Sequence, residues 1–208
     1  MTDSDKKWCV ALAVALMNTT YERIGNSKSA ENGHVGVTGW TVKHLKIKGD
    51  TATLTYVGKS GVSHEKTITE NYVVSALKKA IKGKKPNDLI CGGVTASDVN
   101  EYLKPFGITA KDMRGYHANA EMSSRLKDIR SKGEKLPTDK KEREKLLKEE
   151  FKEALEETAA AVGHSPTMLR NSYLVPGFED QYMKDGTLPK KLNKKSSVDA
   201  VVDRWLGL

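Results

Sequence analysis

Residues 8–20 (WCVALAVALMNTT) are apolar nearly all round the helical wheel, with no polar stripe. A helix of that kind is buried in a core or crosses a membrane. The uncharged run 8–21 has 14 residues, and a span needs about 20. A buried core helix over residues 8–20 is therefore predicted. After a Gly-, Asn- and Ser-rich loop, the pattern changes to short runs of β-rich composition over residues 39–48, 51–57 and 62–69. Gly49 and Asp50 join the first pair, and Gly58 to Gly61 join the second. Both joints have the composition of tight hairpin turns, so a three-stranded antiparallel sheet follows.

Beyond Glu70 the period becomes helical again. Residues 72–81 form one predicted helix, closed by Gly83 and Pro86. Residues 95–103 form another, capped by Thr95 or Ser97, and residues 111–126 a third. The charged stretch 129–141, with a Gly and a Pro, is predicted to be a mobile loop. Residues 139–162 read as a long charged helix in which Leu147, Phe151, Ala154, Thr158 and Val162 recur at three- and four-residue spacing and make one inward face. Gly163 stops it. Ser165 and Pro166 start the next helix, as cap and first helical residue. A lysine-rich stretch, 184–195, is predicted to be a solvated, partly disordered tail, followed by a short amphipathic helix over 198–206. The fold class expected is α+β, mostly helical, with one small three-stranded sheet, in a single domain over 1–208 with a basic tail over 184–208.

Composition sharpens this picture. The 208 residues are 38% hydrophobic and 30% charged, which suits a soluble globular chain. The net charge of +8 favours a polyanionic partner, nucleic acid above all. Cys9 and Cys91 form no CxxC pair and read as small buried hydrophobes in a reducing compartment. The polar start, MTDSDKKW, has no signal-peptide pattern.

Several enzyme chemistries drop out. Gly58-Lys59-Ser60 is not a nucleotide phosphate loop, because position 53, where the first Gly would stand, is Thr. There is no HExxH, paired Asp cluster or Cys/His zinc pattern, so the sequence offers no support for metal-assisted phosphate chemistry. Phosphodiester chemistry without a metal needs a protein nucleophile and several cations round the phosphate.

Five segments carry such groups: YERIGN from Tyr21, YVGKS from Tyr56, KDMRGY from Lys111, VGHSP from Val162 and NSYLVP from Asn171. Each is weak alone. Arg23 could cap a helix end or pair with Glu22, Lys59 could be a solvated turn lysine, and Arg114 could pair with Asp112. His164 could satisfy a helix end, and Tyr173 could be one more core tyrosine. Taken in order, the five resemble the catalytic motifs of type IB DNA topoisomerases: an R-x-G-N element, a G-K hairpin turn, a K-D-x-R-x-Y/W segment, V-G-H-T/S-P, and a tyrosine nine residues after that histidine. The resemblance runs from about Leu12 to Pro176.

The resemblance implies a catalytic domain of the DNA breaking-rejoining type. Tyr173 would attack the scissile phosphate, Arg23 and Arg114 would clamp its non-bridging oxygens, and His164 would donate a hydrogen bond to one of them. Lys59 would protonate the leaving 5′-oxygen, with Lys111 as a second candidate for that relay. Lys59, Lys111 and His117 would also contact DNA. No metal, ATP or other cofactor is implied. The partner would be duplex DNA, with no membrane and no nucleotide. The chain is expected to be monomeric and intracellular, wherever DNA is. Relatives usually carry an amino-terminal clamp domain, expected here to be separate or deleted.

A tyrosine recombinase or integrase is the alternative, since it shares the Arg, Lys, Arg, His and Tyr set. Recombinases typically carry His where this chain has Lys111. They also have a much shorter stretch than the one here, where His164 comes 50 positions after Arg114. The family more often has R-T-Y or R-T-W at the position of Arg114-Gly115-Tyr116.

Overall fold

The computed structural model describes residues 2–25, 33, 35–58, 61–133, 135–189, 198–199 and 201. They fall into two compact units, 1–114 with 196–208, and 115–195.

In the first unit, helix α1 (Asp3–Thr20) starts five residues before the predicted run. Thr2 caps it, with Asp5 returning the bond in a capping box. Every residue from Cys9 to Met17 is buried, as the all-round apolar pattern requires. The strands β1 (Leu45–Lys48), β2 (Thr51–Val57) and β3 (Ser63–Ile68) pair antiparallel in the order β1-β2-β3. Tyr56 stands opposite His64, and Val57 opposite Ser63.

The first strand is shorter than the run 39–48 that predicts it. Residues 37–39 and 42–44 form 3₁₀ turns instead. The backbone N–H of Thr41 donates to His44 Nδ1, while Val42 and Lys43 donate to Asp88 and Pro86. Their donors are thus taken by a turn and a neighbouring loop before a ladder can use them. Trp40 is fully buried beside Tyr56, with ring centroids 5.0 Å apart.

Helix α2 (Asn71–Ile81) and helix α3 (Ala96–Leu103) pack on α1. Thr95 caps α3 and forms a capping box with Asp98. Helix α4 (Ala110–Lys132) begins in the first unit, and its residues from Gly115 onward belong to the second.

The predicted loop over 129–141 is corrected at both ends. Residues 129–132 continue α4, and residues 140–141 open α5 (Lys140–Val162). Charge alone does not break a helix, because Lys, Arg and Glu are good helix formers. An ion pair between Arg130 and Glu150 ties the last turn of α4 to α5. Leu147, Phe151, Ala154, Thr158 and Val162 are all buried along α5, as their spacing predicts. Helix α6 (Pro166–Ser172) has Ser165 as its cap. Helix α7 (Phe178–Asp185) was not predicted, and it takes Lys184 out of the supposed tail. It buries Phe178 and Tyr182 against Phe151 of α5, and the Tyr182 hydroxyl donates to Glu150 at 2.6 Å. The rest of the lysine-rich tail from residue 190, and residues 202–206, lie outside the described residues. Val198 and Val201 are buried.

Candidate functional site

Helix α1 ends at Tyr21, whose φ of 59° makes it the one non-glycine residue with positive φ among the described residues. A bulky side chain there is strained. Beyond this strained cap residues 22–25 follow as neither helix nor strand, and Gly25 itself has a positive φ of 90°. A second segment holds them. Val37 N–H donates to the Arg23 carbonyl at 2.9 Å, and Thr38 gives both its N–H and its hydroxyl to the Ile24 carbonyl. Gly36 is what lets these segments meet. A Cβ there would lie 2.5 Å from the Arg23 carbonyl oxygen and 2.7 Å from Gly25 Cα.

Arg114, 4% exposed on the first turns of α4, donates from Nε to the Tyr21 carbonyl at 2.8 Å. Asp112, its possible ion-pair partner by sequence, is engaged instead in a capping box with Thr109. Lys111 is exposed on the same turn. The first unit thus ties Arg114 directly to the segment that carries Arg23. Lys59 lies outside the described residues. The chain on either side of it closes through Gly58 N–H to the Val62 carbonyl at 2.7 Å and Gly61 N–H to the Gly58 carbonyl at 3.2 Å.

The other half of the predicted set lies in the second unit. Gly163, at φ 65°, caps α5 in the left-handed conformation, and the N–H of His164 reaches back to the Ala159 carbonyl. Ser165 opens α6 at once by accepting from Met168 N–H. His164 is thereby fixed between the end of one helix and the start of the next. Tyr173 ends α6, and its N–H donates to the Leu169 carbonyl. The rings of His164 and Tyr173 lie 4.3 Å apart, tilted by 38°. The nine-residue spacing therefore brings imidazole and phenol side by side.

Sequence reasoning missed Asn119. It is 2% exposed. Its amide nitrogen donates to the Tyr173 carbonyl at 2.6 Å and to the Gly115 carbonyl at 2.7 Å, while its amide oxygen accepts from Val175 N–H at 2.9 Å. One side chain so clamps the backbone on both sides of Leu174. The only signal in the sequence was a polar residue beside the buried stripe of Ala118, Met122 and Leu126 on α4.

Three histidines, His44, His64 and His117, have their charge disfavoured by burial. Burial pushes the pKa of His117 down to about 4. That of His64 is lowered by burial; Glu22 opposes the shift, and Lys66, Arg114 and Arg23 add to it. Cys9 and Cys91 are buried thiols, as predicted, and burial pushes the Cys91 pKa up to about 12. Among the described residues no helix is long and apolar enough to cross a membrane.

Comparison with known proteins adds the following. The family described as "Eukaryotic DNA topoisomerase I, catalytic core" matches residues 1–196. The chain is 27% identical over 175 residues to "DNA topoisomerase I" of Monkeypox virus, covering 83% of this chain and 53% of that protein. It has the same identity and coverage with "DNA topoisomerase 1B" of Vaccinia virus (strain Copenhagen). It is 24% identical over 163 residues to "DNA topoisomerase 1" of Rabbit fibroma virus, covering 76% of this chain and 49% of that protein. The chain thus spans about half the length of the curated relatives it matches.

Proposed function

The chain belongs to the eukaryotic DNA topoisomerase I catalytic-core family, and from that premise we propose that it nicks and reseals one strand of duplex DNA through a covalent bond to Tyr173. The observation that carries this reading is the side-by-side placement of His164 and Tyr173, 4.3 Å between ring centroids.

In the forward step the Tyr173 oxygen bonds to phosphorus and the bond from phosphorus to the 5′-oxygen breaks. The phenol proton passes to solvent water, and the 5′-oxygen takes a proton from Lys59, with Lys111 as the second candidate. A free phenol has a pKa near 10 and is a poor nucleophile at neutral pH, so cations near the phenolate lower the barrier. Arg23 and Arg114 clamp the non-bridging oxygens with planar donors matched to phosphate. His164 donates a hydrogen bond to one of these oxygens. Resealing is the same step reversed, so the bond energy stays in the phosphotyrosine and neither ATP nor metal is required. Supercoils relax while the 5′ end is free. His117, held neutral by burial, offers DNA a hydrogen bond rather than a charge.

The whole set acts in one domain on a single phosphate of duplex DNA, in a monomer, inside the cell. Mass spectrometry of the adduct trapped on a nicked or suicide substrate tests this reading. A nucleotide on Tyr173, formed in chelator and without ATP, is expected, and Tyr173→Phe should form none. An adduct on another tyrosine, or none from the wild-type chain, would overturn the site assignment. Plasmid relaxation without strand exchange separates a topoisomerase from a recombinase.

A further inference from the structure

Glu22 plays no part in the chemistry above, yet its carboxylate is buried at 4% exposure beside Arg23. Burying a carboxylate is costly unless nearby charges and donors compensate it. Here they come from β3. His64 Nδ1 and Lys66 Nζ each lie 3.5 Å from Glu22 Oε1. The second oxygen faces back along its own chain and accepts from the Arg23 N–H at 3.3 Å. The Glu22 N–H in turn reaches the Thr20 hydroxyl at 3.4 Å.

His64 is itself locked in place. Its ring stacks on Tyr56, with centroids 5.3 Å apart and planes within 11°. It fills the space over Gly58, where a Cβ would lie 2.7 Å from it. The carboxylate therefore docks on a rigid platform rather than on loose surface cations. It docks in the middle of the strained link that begins at Tyr21, whose carbonyl holds Arg114. Both guanidiniums act electrostatically on His64.

We infer that Glu22 is a positioning residue for Arg23: its buried carboxylate, seated on His64 and Lys66, fixes the strained Tyr21–Arg23 link so that the guanidinium leaves the chain in the orientation phosphate binding needs. The inference rests on the proposed phosphotransfer. Glu22 touches neither DNA nor the reacting atoms and acts through Arg23 alone.

The test is a double-mutant cycle on single-turnover cleavage of a suicide substrate by the full chain. Glu22→Ala should slow cleavage by roughly 10²-fold, the scale on which small misplacements act. The DNA concentration for half-maximal rate should change little. In an Arg23→Ala background the same change should add almost nothing, because the group it positions is already gone. Glu22→Gln keeps the volume and the acceptor for the Arg23 N–H. It should show a smaller loss, again absent beside Arg23→Ala, and it carries the cycle if the alanine variant does not fold. Losses that multiply with that of Arg23→Ala, or full activity in both Glu22 variants, would overturn the inference. A wild-type chain that forms no Tyr173 adduct would instead sink the reading beneath it.

Discussion

Asn119 shows how much one buried side chain can decide. Its amide has a donor facing the Tyr173 carbonyl and an acceptor facing the Val175 N–H, so it fits that stretch of backbone in one orientation only. Asn119→Ala leaves both backbone groups without their partner and loosens Tyr173, the proposed nucleophile. Single-turnover cleavage should fall by roughly 10²-fold, with DNA binding by gel shift nearly unchanged. Asn119→Asp should be worse, because a carboxylate oxygen would then face the Tyr173 and Gly115 carbonyls in place of an N–H. Cleavage by the Asp variant at or above the alanine level would count against the clamp. His117 sets a second residue-scale expectation. Its pKa is lowered to about 4 by burial, against an ordinary value of 6.5. Between these values the unfolded chain binds the proton and the folded one does not. Stability from keeping His117 neutral is therefore complete above about 6.5 and is lost as pH falls toward 4. His44 and His64 are lowered in the same direction. Thermal melts across that window should fall with pH, and His117→Gln should flatten part of the slope. An unchanged slope would mean the ring is protonated in the fold.

Elements differ in how well local pattern specified them. The core helix α1, the sheet, the caps at Thr95 and Ser165 and the inward stripe of α5 were all legible, because periodicity and capping chemistry are local. The far end of α4 was misread, because the ion pair between Arg130 and Glu150 is a tertiary event, whereas the helix read over 139–162 matches α5 to within a residue. The 3₁₀ turns before β1 depend on partners at Pro86 and Asp88, more than 40 residues away. For the candidate site, motif order singled out Arg23, Arg114, His164 and Tyr173. Asn119 and Glu22 stayed hidden because their partners are backbone atoms and side chains brought in by folding. Gly36 sits at the same boundary. It looked like one more loop glycine, yet it is where the segment 35–38 docks on the Arg23 link. A Cβ 2.5 Å from the Arg23 carbonyl forces the two apart. Gly36→Ala should cost about 1–3 kcal/mol in denaturant unfolding, as overpacking does. It should also cut cleavage more than it weakens DNA binding. Wild-type stability and rate together would show that the segments have room to spare.

At the scale of the whole molecule the decisive quantity is charge. Thirty-five Lys and Arg against 27 Asp and Glu leave a net +8, and phosphate contacts made by such a chain fix position rather than sequence. Binding of that kind releases counterions, so its affinity falls with salt at a slope near 0.9 per phosphate neutralised. Six contacts would lose about 10³-fold in affinity between 50 and 200 mM salt. The proposed transesterification takes up no free ion, so on that reading salt should act on how long the chain stays on DNA and not on the cleavage step. Relaxation by this chain should accordingly be distributive, with all plasmids shifting together through partly relaxed forms. Its rate should fall steeply with salt, while single-turnover cleavage by a saturating excess of protein changes little. The separation of those two responses is the critical measurement. Processive relaxation that ignores salt would show that something other than phosphate neutralisation holds the chain on its duplex. A cleavage step that falls as steeply as relaxation would place the salt-sensitive charges at the scissile phosphate itself, among the arginines and Lys59, rather than along the flanking backbone.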